Sequence, residues 1–157
     1  MAEPLQTGAP APDFRLPRGD GEVTLARYAG RALVLYFYPK DDTSGCTREA
    51  TDFNALMPAF RDAGAEILGV SPDSERSHDA FRKKHGLEIE LGSDESKAMC
   101  EAYGVWQEKS MYGRKYMGVE RTTFLIGPDG RIAEIWPKVS VKGHAEAVLA
   151  AVKALPR

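Results

Sequence analysis

The sequence predicts an α/β fold with a central mixed sheet flanked by helices, and three observations carry that prediction. Residues 31–38, Arg-Ala-Leu-Val-Leu-Tyr-Phe-Tyr, are apolar almost throughout and rich in strand formers, as in a central strand buried on both faces. Strand-like and helix-like segments alternate through the first half, which implies parallel strands joined by right-handed crossovers. Near the end, Gly127-Pro-Asp-Gly130 separates two strand-like runs, a turn signal that adds an antiparallel hairpin.

Taken in order, residues 1–12 contain Pro4, Gly8, Pro10 and Pro12 and read as an irregular arm. Extended pieces follow at 13–16 and 22–25, with turn chemistry in Arg18-Gly19-Asp20-Gly21 between them. Pro39 ends the central strand and residues 40–45 form a loop. Residues 46–57 carry a helical period, with Ala50, Phe53, Leu56, Met57 and Phe60 on one face. Pro58 should kink that helix or restart it. Residues 66–71 form the next buried strand. A helix then runs to about Lys84, capped by Asp73 or Ser74 and stopped at His85-Gly86. A short strand is expected at 88–91. A helix at 95–103, capped by Ser93 or Asp94, comes next, and residues 105–118 read as loop. Strands at 122–126 and 131–136 and a helix at 143–155 complete the chain. A βαβ unit followed by ββα is the thioredoxin-like plan, expected here as one domain over residues 1–157.

Composition narrows the function classes. With 43% hydrophobic and 28% charged residues, the 157-residue chain has the balance of a globular domain with a real core. The formal net charge of −2 gives no basic face for nucleic acid or an anionic membrane. The longest apolar run, residues 32–38, falls far short of the ~20 residues of a spanning helix. The start, Met-Ala-Glu-Pro-Leu-Gln-Thr-Gly, lacks the basic and apolar regions of a secretory signal, so a cytoplasmic protein is expected.

Two cysteines, Cys46 and Cys100, are too few for a disulfide scaffold. Cys46 falls in the first turn of a predicted helix, where free N–H groups and the helix dipole favour a thiolate. Gly45 allows close backbone approach or lets successive N–H groups point into the site. Thr43 places a hydroxyl one turn before the sulfur, either as a helix cap or as a group that accepts one proton and donates another. Such a site suits attack on an O–O bond, with N–H donors and a fixed cation holding the charge that builds on the leaving oxygen.

The run Pro39-Lys-Asp-Asp-Thr43-Ser-Gly-Cys46 resembles the peroxiredoxin signature of Pro, three residues, Thr, two residues, Cys. The longer stretch Tyr36-Phe-Tyr-Pro-Lys-Asp-Asp-Thr-Ser-Gly-Cys-Thr-Arg-Glu-Ala50 is similar to the bacterioferritin comigratory protein, or Q-type, branch. The resemblance extends through residues 8–14, 67–73, 93–95, Tyr103-Gly-Val-Trp106, Glu108-Lys-Ser and Arg121-Thr-Thr-Phe-Leu-Ile126. It implies a thiol peroxidase that reduces hydrogen peroxide and organic hydroperoxides through a Cys46 sulfenic acid, without a cofactor. By the same resemblance Cys46 is the peroxidatic cysteine and Pro39 shields its sulfur from water. Thr43 hydrogen-bonds the bound peroxide, and Arg121 stabilises the thiolate and orients the peroxide. Gly45 and Cys46 offer backbone N–H groups, and Glu49 helps to hold the arginine. On their own, Arg121 reads as an exposed strand end and Glu49 as a favourable acid in the first helical turn.

Departures from the pattern bear on how the cycle closes. Relatives place a resolving cysteine five residues after the first, here Thr51, or around residues 77–81, where this chain has none. Ser44 stands where relatives usually have Pro, which restores a backbone donor and loosens φ. A one-cysteine cycle is therefore expected, with recycling by thioredoxin, glutaredoxin or a low-molecular-weight thiol and a monomer or weak homodimer as the working form. Cys100, on a predicted helix with Ala98, Met99 and Tyr103 nearby, reads as a packing residue, with a resolving role as the rival. His78, His85 and His144 show no metal-ligand spacing with either cysteine. The non-enzymatic alternative is a redox sensor or chaperone that uses the same oxidisable thiol.

Overall fold

The computed structural model describes residues 5–156. Its centre is a five-stranded mixed sheet in the order β5-β4-β3-β8-β9. Strand β3 (Ala32–Phe37) is buried at every position and pairs in parallel with β4 (Ala65–Ser71), which pairs in parallel with β5 (Glu90–Ser93). On its other edge β3 pairs antiparallel with β8 (Thr122–Ile126), and β8 with β9 (Ile132–Trp136). Helix α1 (Ser44–Asp62) crosses from β3 to β4 and α2 (Glu75–His85) from β4 to β5. Helices α3 (Ala98–Ala102) and α4 (His144–Lys153) follow. The predicted alternation and the closing hairpin are both present.

Alternation along β3 divides the core in two. Val34, Tyr36 and Tyr38 pack with Cys46, Phe53, Phe60, Phe81 and Val148, on the face covered by α1, α2 and α4. Leu33, Leu35 and Phe37 face the other way, against Met99, Cys100, Tyr103 and Phe124. Successive side chains of a strand point to opposite faces, so the two cysteines lie on opposite sides of the sheet.

The element boundaries differ from the sequence reading in several places. Residues 105–118 are not loop: β6 (Trp106–Met111) and β7 (Arg114–Val119) form a two-stranded hairpin. Its turn residues Tyr112 and Gly113 both have positive φ, 52° and 78°. Such a turn ordinarily signals itself with Asn or Asp. Most of the ribbon is exposed, so no alternation marks it. Helix α1 begins at Ser44 and runs through Pro58 to Asp62 without restarting; Pro58 lies on its exposed side, and Phe60 keeps the last turn in the core. Strand β5 starts two residues late, because Asn54 Oδ1 takes the N–H groups of Glu88 and Ile89 at 2.6 and 3.2 Å. Helix α3 is shorter than expected, and Asp94 accepts from its Met99 and Cys100 N–H groups at 3.3 and 2.8 Å.

Residues 1–4 lie outside the described residues. The described part of the arm has no helix or strand, as the sequence reading expects, and from Gly8 it hydrogen-bonds along the turn and start of β9: Gly8 N–H to Ile132 O, Ile132 N–H to Ala9 O and Ala11 N–H to Gly130 O, at 2.7–2.9 Å. The two expected extended pieces are strands β1 (Arg15–Arg18), two residues later than read, and β2 (Gly21–Thr24), and they pair antiparallel with each other. Ser74 caps α2 by accepting from the Ser77 N–H at 3.1 Å, and Gly86 ends it at φ 63°.

Candidate active site

Cys46 is the third residue of α1 and is 1% exposed. The first intrahelical bond runs from the Thr47 N–H to the Thr43 carbonyl at 2.8 Å, so the Ser44, Gly45 and Cys46 N–H groups have no helical acceptor. The positive end of the helix is thus placed beside the sulfur, as the sequence predicted.

Arg121 immediately precedes β8, and its carbonyl accepts the Val139 N–H at 2.9 Å. The guanidinium is not an exposed strand end. It turns inward, 17% exposed, and its Nη2 donates to Cys46 Sγ at 3.2 Å while Nη1 donates to Glu49 Oε1 at 2.6 Å. Burial works against the Arg121 charge, but Glu49 and the Cys46 sulfur outweigh it and raise the guanidinium above its ordinary value. Gly45 makes this approach possible: a Cβ there would stand 3.3 Å from Arg121 Nη2.

Glu49 is also not where the sequence placed it. Since α1 starts at Ser44, Glu49 sits in the second turn, and the helix has no acidic residue in its first. Its side chain is 1% exposed and Oε2 has no hydrogen-bond partner among the described residues. Burial raises its pKa to about 7, against the lowering effect of Arg121's charge and hydrogen bond. Nothing in a local reading flags this; only the packing of α1 against the sheet removes Glu49 from water.

Thr43 occupies the N-cap position but does not cap with its side chain. Its exposed hydroxyl donates to the Lys40 carbonyl at 2.9 Å, which leaves the oxygen lone pairs free to accept. Pro39 follows β3 and is half-buried. Cys100 is fully buried on the far face of the sheet; burial first, then the neighbouring Asp94 carboxylate, push its thiol strongly towards the neutral form. The structure therefore brings together Cys46, Gly45, Glu49 and Arg121 and leaves Cys100 apart.

His78 and His144, which the sequence marks only by their lack of metal-ligand spacing, are both buried. His144 opens α4 with Nε2 2.8 Å from Thr123 Oγ1 and its ring edge-on to Phe53 and Trp136. Burial, aided by Arg121, lowers its pKa to about 4, so it is neutral at physiological pH. His78 lies in α2 with its Nδ1 2.7 Å from Asp41 Oδ2. Asp41, Asp73 and His78 are the one group of potential metal ligands that meets among the described residues. Their facing oxygens already accept from Ser77, Ser71 and the Asp41 N–H, all within 2.8 Å, so a cation would have to displace protein donors.

Comparison with known proteins agrees with this geometry. Residues 7–135 match the model of the AhpC/TSA family. Peroxiredoxin Bcp of Xanthomonas campestris is 54% identical over 148 residues, covering 92% of each chain. The structure of Xylella fastidiosa PrxQ superposes with a TM-score of 0.91 at 44% identity, covering 98% of both chains. A structure of the Xanthomonas campestris bacterioferritin comigratory protein, studied for its alkyl peroxide reduction activity, has a TM-score of 0.84 at 53% identity and covers 90% of both. The chain therefore belongs to the AhpC/TSA family, and its named relatives and its fold place it with the peroxiredoxins of the Bcp, or Q, type.

Proposed function

We propose that the chain is a thiol-dependent peroxidase that reduces hydrogen peroxide and organic hydroperoxides at Cys46. The observation that carries this reading is the Arg121 guanidinium shared between Cys46 Sγ at 3.2 Å and Glu49 at 2.6 Å, at the open N-terminus of α1. An arginine remains charged at any physiological pH and is a permanent counter-ion for a thiolate.

In the first half-reaction the Cys46 thiolate attacks one peroxide oxygen. An S–O bond forms, the O–O bond breaks, and the leaving alkoxide or hydroxide takes a proton to become alcohol or water. Arg121 and the free N–H groups of Gly45 and Cys46 are placed to hold the negative charge that moves from sulfur to the leaving oxygen. The Thr43 hydroxyl accepts from the peroxide O–H, and Pro39 covers the sulfur. In the second half-reaction a thiol attacks the Cys46 sulfenic acid, an S–S bond forms and water leaves. A second thiol then releases Cys46.

Cys100 lies across the sheet, and a disulfide needs Cα atoms within ~7 Å. The resolving thiol is therefore external: thioredoxin, glutaredoxin or a low-molecular-weight thiol. The working form is a single-domain cytoplasmic monomer or weak homodimer; no helix among the described residues is long and apolar enough to cross a membrane. The deciding experiment is peroxide consumption with excess dithiothreitol. Many turnovers per chain, abolished in Cys46→Ser and kept in Cys100→Ser, support the reading. One equivalent consumed per chain would instead fit a redox sensor, and normal turnover by Cys46→Ser would refute the mechanism.

A further inference from the structure

The loop between β3 and α1, residues 38–43, is held from one side only. The Tyr38 N–H donates to Val70 O of β4 at 3.0 Å, and the Asp41 N–H to Asp73 Oδ2 at 2.8 Å. The Asp41 side chain is nearly enclosed and accepts from Tyr38 Oη at 2.6 Å, His78 Nδ1 at 2.7 Å and Ser77 Oγ at 2.8 Å. His78 is itself 2% exposed, and its Nε2 lies 3.1 Å from the Gly92 carbonyl of β5. The next residue, Asp42, has a left-handed φ of 59°, rare for a residue with a side chain. It points out to Lys84 Nζ and His85 Nε2 at 2.7 and 2.9 Å. Among the described residues, the loop makes no hydrogen bond to β8, the strand that follows Arg121.

Thr43 and the start of α1 are thus set in place by α2, an element that contributes no reacting group. Burial acts to raise the Asp41 carboxyl, but hydrogen bonds from His78 and Tyr38, the His78 charge and Ser77 together hold it below the ordinary carboxylate range. The loop is therefore pinned by a buried carboxylate, which is costly to leave unpaired. Cys46 is 1% exposed in this arrangement and offers almost no surface to an external thiol.

We propose that Asp41 and His78 are positioning residues of the peroxidase: their buried pair pins the loop in the conformation that serves the peroxide step and withholds Cys46 from the thiol step. The inference rests on the peroxidase reading. Loosening the pin moves the two half-reactions in opposite directions, because the first needs the assembled loop and the second needs it displaced. A residue that only supported the fold would not produce that split.

The test measures three rates at Cys46 by peptide mass spectrometry. They are alkylation of the reduced protein by iodoacetamide, oxidation by hydrogen peroxide, and reduction of the sulfenic acid by dithiothreitol. Asp41→Asn keeps the shape and removes the charge. It should speed alkylation about tenfold and slow peroxide oxidation by a similar factor, the scale of one charge-assisted hydrogen bond, while reduction accelerates. Ser77→Ala and Tyr38→Phe each remove one donor and should shift all three rates in the same directions by less. They decide the matter by the same criterion if Asp41→Asn does not fold. Val152→Ala, which opens a cavity under α4 away from the loop, should leave the rates unchanged. Three unaltered rates, three rates that fall together, or the same split in Val152→Ala would overturn the proposal. Failure of peroxide to oxidise wild-type Cys46 would sink the peroxidase reading instead, and the alkylation rates would still report on the pin.

Discussion

Glu49 links the stability of the fold to its chemistry, and replacing it with Gln separates the two. The carboxyl is 1% exposed and its pKa rises from 4.5 to about 7, because burial outweighs the attraction of Arg121. A raised carboxyl pKa means that the folded state binds the proton more tightly than the unfolded chain does. Between about pH 4.5 and 7 the folded state therefore holds more protons, and stability falls as pH rises across that window, then levels off. A shift of this size corresponds to about 3 kcal/mol at 1.36 kcal/mol per unit. For a domain of this length it moves the midpoint by about 2–4 °C per kcal/mol, or about 10 °C in all.

Glu49→Gln removes the titration and keeps an acceptor for Arg121. The measurement is thermal unfolding of reduced wild type and variant from pH 4.5 to 8. The quantity to read is the difference between the two proteins, which cancels the other titrating groups. The variant should gain about 10 °C on wild type as pH rises through that range. Its peroxide rate should meanwhile fall about tenfold, because a neutral amide holds the guanidinium less firmly than a carboxylate does. A difference that stays flat with pH would mean that Glu49 does not titrate in this window. A difference of opposite sign would mean that Arg121 wins over burial and the carboxyl is depressed; either result refutes the reasoning.

Three further outcomes follow from the same geometry. Thr43→Ser should retain most of the peroxide rate and Thr43→Val should lose about tenfold or more, since the hydroxyl makes no cap bond and its loss removes an acceptor from the site; equal rates in a stopped-flow assay would leave Thr43 without a chemical role. Gly45→Ala puts a methyl 3.3 Å from Arg121 Nη2 and should slow peroxide oxidation several-fold with little change in melting temperature, because small misplacements at a reacting centre are amplified; an unchanged rate would show that the guanidinium can shift freely. Intact-mass analysis after one equivalent of hydrogen peroxide should show one added oxygen on Cys46, and further peroxide should carry it to the sulfinic acid; loss of two hydrogens with a Cys46–Cys100 peptide would overturn the one-cysteine cycle.

The parts of this site that a sequence reveals are those its chemistry places next to one another. Thr43, Gly45 and Cys46 lie within four positions, and an apolar strand ending at a proline predicts a helix N-terminus after them. That inference needs only backbone rules, and it survived a two-residue error in where α1 begins. The same small error had a larger effect on Glu49. Counted from Cys46 it is a first-turn acid at the favourable end of a dipole; counted from Ser44 it is a second-turn residue pressed into the core. Helix ends are the least certain boundaries in a sequence, and here the difference decides whether a carboxylate faces water or arginine.

Arg121 is 75 residues from Cys46 and the Asp41–His78 contact spans 37, so no periodicity records either pair. Family resemblance points to Arg121, and nothing in the sequence points to the pairing of His78 with Asp41. What joins these residues is the β3–β8 pairing on one side and the packing of α2 on the other, and both are properties of the assembled sheet. The hairpin β6–β7 failed to register for a different reason: a ribbon exposed along most of its length has no buried face to select an alternating sequence. The cysteine's local setting is thus legible because the backbone imposes it. The arginine beside its sulfur and the Asp41–His78 contact behind its loop are not, because they depend on which distant segments the hydrophobic core brings together, and the same tertiary packing that removes Glu49 from water makes its pair with Arg121 sensitive to pH.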